Sequence, residues 1–256
     1  MTKRIGVIGN SHLSAFKLGW ETAQTRFPEF ELTFFGSTAS SLRHLRVHDG
    51  CLIPTAEIVR DNLIWTSGGY DHIPGNHDAY IVVGMGFSFI HLMALLKNHR
   101  TPHNYDPDQG HQLISKRFFE GAMNETLTNS NAVRVLTMLK QITQSPIVYT
   151  PNPFGTKEIL TDKRYDFLAH ESVRKYVFDY YQEAKNRILK TELCILKEQP
   201  VETIDAYMFT KSEYSRGSIK LKKGMRSPHN DNDYFHMNAH FGEISLEQIL
   251  SSTMLR

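Results

Sequence analysis

Short apolar runs separated by longer amphipathic stretches characterise this chain. Residues 4–9 form a compact apolar run, and residues 30–35 alternate between apolar and polar positions. Residues 79–83 are continuously apolar, which is typical of a strand buried on both faces. Residues 145–153, with a proline-rich exit, and residues 193–196 complete the set of predicted strands.

Helical periodicity fills most of the sequence between these strands. The predicted helices cover 12–27, 89–97, 115–144 in two pieces, 164–190 and 246–255. Strands that alternate with helices imply a parallel sheet covered on both faces. The pattern is consistent with an α/β fold, a flavodoxin-like three-layer α/β/α sandwich with a central parallel five-stranded sheet in the order 2-1-3-4-5.

Composition restricts the class of protein further. The 256 residues predict one domain, 1–256, with a small hairpin insertion around 51–66. The net charge of +2 argues against a nucleic-acid partner. The two cysteines are too few for a disulfide framework. Because no apolar run reaches the length of a membrane span and the N-terminus shows no apolar signal region, we expect a cytoplasmic protein.

Candidate chemistry begins where the first predicted strand ends. The sequence there is Gly9-Asn10-Ser11-His12, and a helical pattern follows. A serine at this turn lies at the carboxyl end of a strand and the amino end of a helix, where its hydroxyl is exposed and faces the helix dipole. Ser11 is therefore a candidate nucleophile, although serine is also a favoured helix N-cap.

A second group of reactive side chains lies near the C-terminus. Asp233 and His236 are three residues apart, so a helical turn or a tight loop places them on one face. A carboxylate beside an imidazole fixes the tautomer and supports the imidazolium that forms when the ring takes a proton. Ser11, His236 and Asp233 could thus be a nucleophile, a base and the group that orients the base.

Together these two segments resemble the SGNH/GDSL hydrolase superfamily, in particular a bacterial subgroup that begins with Gly-Asn-Ser-His. That family begins with a strand followed by the serine motif and ends with Asp-x-x-His before a terminal helix. The resemblance implies the same flavodoxin-like sheet. It also implies that Ser11 is the catalytic nucleophile, His236 the base and Asp233 its partner, and that no cofactor or metal is needed.

The middle of the chain matches the family less well. Gly36 follows strand two as the second family block requires, and Gly84 begins the third block, but Gly86 stands where the family has asparagine. That asparagine donates to the oxyanion. The expected oxyanion donors are the backbone N–H groups of Ser11 and Gly36, with a donor near Gly84–Gly86.

Polar residues beside the proposed triad are expected to orient it or to bind substrate: Asn10, His12 and Asn238. A zinc site is an alternative, because His236 and His240 are four apart, and Asp233 or His229 would complete a ligand set. The sequence Gly75-Asn76-His77-Asp78 mimics a metallophosphoesterase motif, but its companion motifs are missing. We interpret it as the turn before strand three.

The expected activity is that of a serine esterase acting on small esters, with O-acetylated carbohydrate the favoured class and a small-molecule or glycan ester the expected partner. A sugar O-acyltransferase would use the same triad. A non-catalytic protein that binds a glycan or a protein partner remains open because of Gly86. Lys220–Lys223 is interpreted as a solvated loop that could meet an anionic substrate.

Overall fold

A computed structural model describes residues 2–102, 111–189, 192–223 and 225–252. The strands are β1 (Lys3–Gly9), β2 (Phe30–Gly36), β3 (Leu45–His48), β4 (Cys51–Pro54), β5 (Ile73–Pro74), β6 (Ala79–Val83), β7 (His99–Arg100), β8 (Gln112–Leu113), β9 (Ile147–Thr150), β10 (Ile195–Leu196), β11 (Ile204–Asp205), β12 (Phe209–Thr210), β13 (Ile219–Lys222) and β14 (Met225–Pro228). The helices are α1 (Leu13–Ala23), α2 (Glu57–Ser67), α3 (Phe89–Ala94), α4 (Lys116–Thr128), α5 (Asn131–Ile142), α6 (Glu171–Ile188) and α7 (Ala239–Leu250).

Five parallel strands form the central sheet, in the order β10-β9-β6-β1-β2. The predicted α/β class with a five-stranded parallel sheet is confirmed. The strand labels differ from the predicted 2-1-3-4-5, because β3, β4, β5, β7 and β8 pair outside this sheet. Counted along the chain within this sheet alone, β10, β9, β6, β1 and β2 are its fifth, fourth, third, first and second strands.

Alternate residues of the central strands enter two separate hydrophobic cores, one on each face of the sheet. In β6, Val82 belongs to the core that α2 to α6 cover, whereas Ile81 and Val83 belong to the core that α1 and α7 cover. All five residues of β6 are buried, as the continuous apolar run predicted. Since side chains alternate along a strand, burial on both faces requires this uninterrupted hydrophobicity.

Helices α1 and α7 pack closely against each other. A Cβ added to Gly19 of α1 or to Gly242 of α7 would fall inside van der Waals distance of the other helix's backbone. This close approach fixes the position of α7 relative to the turn between β1 and α1. The loop that precedes α7 carries Asp233 and His236, so the crossing sets where these side chains lie.

Several predicted elements have different bounds in the structure. The helix predicted over 164–190 is α6 from Glu171 to Ile188, preceded by a short 3-10 helix. Residues 51–66 are not a hairpin: β4 pairs with the preceding β3, and α2 follows. Val59 and Leu63 lie one turn apart and are buried, while the polar residues between them face outward. Helix α7 begins at Ala239, seven residues before its predicted start, and the last predicted residues, 253–255, lie outside the described residues. Helix α1 ends at Ala23, four residues before its predicted end, and a short 3-10 turn follows.

Candidate active site

Ser11 lies in the tight turn between β1 and α1. The backbone N–H of Leu13 donates to the carbonyl of Asn10 over 3.0 Å, and that of Ser14 donates to the carbonyl of Ser11 over 3.3 Å. His12, not Ser11, occupies the N-cap position of α1, and it makes no side-chain cap. The Ser11 side chain is exposed and free to react, so the capping interpretation does not describe it.

The three predicted triad residues meet at this turn. His236 Nε2 lies 2.8 Å from Ser11 Oγ, and His236 Nδ1 lies 2.8 Å from Asp233 Oδ2. These distances are within normal hydrogen-bond range. With Nδ1–H donated to the carboxylate, Nε2 presents a lone pair to the serine hydroxyl. The arrangement supplies a nucleophile, a base and a carboxylate in hydrogen-bonded series.

The Asp233 carboxylate is held by its own loop. Its Oδ1 accepts the backbone N–H of Phe235 over 3.1 Å and that of His236 over 3.0 Å. Burial alone raises the pKa of Asp233, but the hydrogen bonds and the charge of His236 outweigh it and keep that pKa well below its ordinary value. Asp233 is therefore ionised at neutral pH, as a group that stabilises an imidazolium must be.

Two further histidine rings stack on His236. The His229 ring lies 4.0 Å from it, centroid to centroid, at an interplanar angle of 18°. The His12 ring lies at 5.0 Å and 21°. Burial, reinforced by the charge of His236, lowers the pKa of His12 to about 3 and also lowers the pKa of His229. Neutral rings restrain the orientation of His236 without placing a second positive charge beside it.

His229 also contacts the carboxylate. Its Nδ1 lies 2.7 Å from Asp233 Oδ2, although without hydrogen-bond alignment. The His229 side chain is only 3% exposed. The sequence analysis considered His229 solely as a metal ligand. Its spacing, four residues before Asp233 and seven before His236, was the available signal for its place beside the triad.

The glycine N–H groups predicted to hold the oxyanion are engaged in other hydrogen bonds. Gly36 donates to Thr66 Oγ1 over 2.9 Å, and Gly84 donates to the carbonyl of Thr150 over 2.9 Å. Gly86 donates over 3.0 Å to the side-chain Oδ1 of Asn152. Among the predicted donors, only the Ser11 N–H has no hydrogen-bond acceptor within the described chain.

Asn152 is a residue that the sequence analysis missed. It follows β9, whose neighbour β6 ends just before Gly84. An ideal Cβ on Gly84 would lie 3.3 Å from His12 Cδ2, 3.3 Å from Asn10 Oδ1 and 3.4 Å from Asn152 Oδ1. The Asn152 amide thus lies beside the serine turn. Its Nδ2 donates to no described residue, so this donor remains available.

The position of Asn152 could have been anticipated. The carboxyl ends of parallel strands meet at one edge of a sheet, which is where ligands bind in open α/β folds. A polar residue two positions after the fourth core strand therefore belongs to the same edge as Ser11. The flanking prolines, Pro151 and Pro153, were instead interpreted only as an exit from the strand.

The predicted substrate-binding residues divide into two groups. Asn10 lines the cavity beside Ser11, and its Oδ1 accepts the backbone N–H of His12 over 3.2 Å. Asn238 instead caps α7: its Oδ1 accepts the N–H of Phe241 over 3.1 Å, and its Nδ2 donates to two backbone carbonyls over 2.8 and 2.9 Å. Since both of its amide hydrogens are donated, Asn238 positions the helix that follows the triad loop.

A cavity of about 340 Å³ opens beside Ser11. Ser11 and His236 line it together with Gly36, and Leu13, Trp65 and Leu221 contribute apolar side chains to its wall. Its size lies within the range of small-molecule sites, roughly 300–1,000 Å³. An ester bound here would place its carbonyl within reach of the Ser11 hydroxyl.

One group of described residues could hold a metal ion, namely His229, Asp233 and His236, whose ligand atoms lie within 4.8 Å of one another. His240, the partner proposed from its spacing, is not in this group; its Nδ1 lies 3.5 Å from Glu243, and its ring stacks on Tyr214. A metal on Nδ1 of His236 would replace the hydrogen bond to Asp233. The metal site and the triad are therefore mutually exclusive uses of the same atoms.

No protein-family model matches the chain, and no curated protein matches it. Among solved structures, an extracellular lipase from Streptomyces rimosus is similar at 8% identity and a TM-score of 0.47, over 96% of this chain and 99% of that one. A gut microbial diltiazem-metabolizing enzyme is similar at 15% identity and a TM-score of 0.38, over 79% of this chain and 38% of that one. The CTD of the Drosophila Oskar protein is similar at 11% and 0.33, over 96% and 87%.

These similarities are too distant to support a function, which therefore has to be inferred from the geometry of the site.

Across the described residues, we find no helix with the length and hydrophobicity that crossing a bilayer requires.

Proposed function

We propose that this protein is a serine esterase of the SGNH type that uses Ser11, His236 and Asp233. The observation that carries the proposal is the continuous series of two 2.8 Å contacts, from Asp233 Oδ2 through the His236 ring to Ser11 Oγ. The Gly-Asn-Ser-His and Asp-x-x-His motifs support it. The series lies at the mouth of a cavity of suitable size for a small ester.

The reaction follows from the positions of these atoms. Ser11 Oγ attacks the ester carbonyl carbon while His236 Nε2 takes the hydroxyl proton. The tetrahedral intermediate expels the alcohol, which leaves with that proton, and an acyl-serine remains. Water then attacks the acyl group and gives a proton to His236. Collapse of the second intermediate releases the carboxylic acid and returns the proton to Ser11 Oγ. Asp233 stabilises the imidazolium at each proton transfer.

The oxyanion donors in this proposal are the backbone N–H of Ser11 and the side-chain Nδ2 of Asn152. Gly36, Gly84 and Gly86 donate elsewhere, so they serve as donors only if those hydrogen bonds break. The bond from Gly86 N–H to Asn152 Oδ1 fixes the orientation of the amide. Asn152 would thus perform the task of the asparagine that Gly86 replaces, from the neighbouring strand.

The favoured substrate class remains O-acylated carbohydrate, by analogy with the family. A sugar O-acyltransferase would use the same acyl-serine and differ only in whether a sugar hydroxyl or water attacks it. The two activities separate when p-nitrophenol and acetate release are both measured with sugar acceptors present, because transfer releases p-nitrophenol without a matching amount of acetate.

The test of the proposal is hydrolysis of p-nitrophenyl acetate by the wild type, Ser11→Ala and Ser40→Ala at equal concentrations. Ser40 is exposed and makes no side-chain hydrogen bond as an N-cap, so it is the matched control. We expect activity in the wild type and Ser40→Ala and its loss in Ser11→Ala. Equal background rates in all three would favour the non-catalytic binding protein.

The zinc alternative is tested on the same samples. Metal analysis of the purified wild type, with activity before and after chelation, distinguishes the two uses of Asp233 and His236. Stoichiometric zinc whose removal abolishes activity would replace the triad with a metal centre. Activity that survives chelation and is inhibited by added zinc agrees with the triad, because zinc on His236 Nδ1 displaces the bond to Asp233.

A further inference from the structure

The cavity beside Ser11 is lined by three lysines. Lys17, Lys220 and Lys223 lie on its wall, and no described residue that lines it is acidic. A cavity whose wall carries one sign of charge attracts ligands of the opposite sign. The net charge of the whole chain is only +2, so this concentration of positive charge is a local feature of the cavity.

Lys17 has a fixed place in this wall. Its Nζ donates to the carbonyl of Thr66 over 2.6 Å and lies 5.8 Å from the ring centroid of Phe34. Neither of these contacts is with a carboxylate. Burial lowers the pKa of Lys17, although Glu21, one turn further along α1, acts in the opposite direction, and an anion in the cavity would also raise it.

Lys220 and Lys223 come from the hairpin of β13 and β14, which borders the cavity. Arg226 of β14 holds the hairpin against α1 through two contacts with Glu21, at 2.6 and 3.1 Å. Arg226 and Glu21 therefore neutralise each other. Lys220 and Lys223 form no ion pair with a described residue. The hairpin thus offers two uncompensated ammonium groups at the edge of the site.

We propose that the cavity binds an ester that carries a second, anionic group, which Lys220 and Lys223 hold while the ester carbonyl lies at Ser11. A carboxylate or a phosphate would serve, because an ammonium group recognises either as a point charge. The apolar wall around Trp65 accommodates the part of the molecule between the two groups. This inference rests on the proposed esterase function and specifies its substrate class.

The kinetic test compares anionic esters with neutral esters of the same shape. Mono-p-nitrophenyl glutarate carries its charge on the acyl side, and its methyl ester is the neutral partner. The second pair, 4-acetoxybenzoate and its methyl ester, carries the charge on the alcohol side. We expect the anionic member of at least one pair to have a kcat/KM roughly tenfold higher, as one charge-assisted contact supplies. The pair that shows the preference identifies which side of the ester meets the lysines.

The matched variants are Lys220→Gln/Lys223→Gln and Lys157→Gln/Lys175→Gln. Both remove two positive charges, but Lys157 and Lys175 are exposed and do not line the cavity. The first variant should bring the ratio of anionic to neutral kcat/KM close to one, and the second should preserve it. A ratio of anionic to neutral kcat/KM near one for both pairs in the wild type would overturn the inference. A preference that Lys220→Gln/Lys223→Gln leaves intact would overturn it as well.

A binding measurement separates this inference from the proposed function. Ser11→Ala is titrated with mono-p-nitrophenyl glutarate by calorimetry, with and without Lys220→Gln/Lys223→Gln. A Kd that weakens roughly tenfold on loss of the lysines supports the anion site even if the wild type hydrolyses no ester. If the wild type hydrolyses the ester but Lys220→Gln/Lys223→Gln does not change the Kd of Ser11→Ala, the anion site is refuted and the proposed esterase function is not affected.

Discussion

Asp233→Asn tests the proposed hydrogen-bonded series from Asp233 through His236 to Ser11 without changing Ser11 or His236. The asparagine is isosteric and its Oδ1 can still accept the backbone N–H groups of Phe235 and His236. Its Nδ2 would replace the oxygen that faces His236 Nδ1 at 2.8 Å. Because an amide NH₂ only donates, Nδ1 must lose its proton and Nε2 must carry one. Nε2 could then no longer accept the proton of Ser11.

The size of the effect follows from the distance. Opposite charges roughly 3 Å apart, at an effective dielectric constant of about 20, attract by on the order of 5 kcal/mol. The imidazolium exists only in the transition states and intermediates, so this loss is expected in kcat. At 1.36 kcal/mol per tenfold, kcat should fall roughly 10³- to 10⁴-fold. The same aspartate-to-asparagine change in a serine-protease triad lowers kcat by about 10⁴.

The assay is steady-state hydrolysis of p-nitrophenyl acetate, with circular dichroism to confirm that each variant is folded. Asp231→Asn is the matched control, since Asp231 is exposed on the same loop. We expect Asp231→Asn to retain wild-type kcat. If Asp233→Asn were folded and kept kcat within threefold of the wild type, the Asp233 carboxylate would not have the role proposed for it at His236.

Three further predictions follow from the surroundings of the triad. Asn152→Ala should lower kcat on p-nitrophenyl acetate roughly 100-fold or more with little change in KM, whereas exposed Asn129→Ala should not; equal kcat values would remove Asn152 from the oxyanion site. The pKa of His12, lowered to about 3, means that the unfolded chain binds a proton below pH 6.5 that the folded chain refuses, so stability is complete above pH 6.5 and falls as pH drops towards 3. Between pH 6.5 and 4.5 the free energy of unfolding, measured with urea, should therefore fall by up to about 2 kcal/mol more in the wild type than in His12→Gln. An equal fall in both proteins would contradict this. Gly242→Ala should lower the free energy of unfolding by about 1–3 kcal/mol or more by forcing α1 and α7 apart. The control Gly121→Ala, with nothing within 4 Å of its added Cβ, should raise it by about 0.5–1 kcal/mol. Equal stabilities of the two variants would show that α1 and α7 move apart at little cost.

The sheet could be predicted because its signal is local. The uninterrupted run at Ala79–Val83 required burial on both faces, and the structure gives β6 those bounds. Taken alone, the place of Ser11 before a helix favours an N-cap, and the three-residue spacing of Asp233 and His236 favours a surface pair. Only their joint match to the family motifs predicted a triad, and the fold places Ser11 Oγ 2.8 Å from His236 Nε2.

The elements that escaped prediction depend on contacts distant in sequence. Helix α2 was missed because its apolar face is only Val59 and Leu63 wide, and its polar residues resemble a turn. The side-chain oxygens of Thr66 and Asn152 accept the N–H groups of Gly36 and Gly86, and no spacing in the chain reveals that these residues are close. A sequence motif can therefore identify candidate oxyanion donors, but it does not reveal whether their N–H groups already donate to another residue of the fold.

Whether Ser11 is an activated nucleophile is tested most directly by covalent labelling of the wild type with a fluorophosphonate, followed by intact mass measurement and peptide mapping. A hydroxyl activated by its neighbouring base attacks the phosphorus and releases fluoride, which leaves a stable phosphonyl ester. We expect one adduct, on Ser11, formed far more slowly in His236→Ala and absent from Ser11→Ala. A wild type that forms no adduct, or one whose adduct lies on another serine, would contradict it.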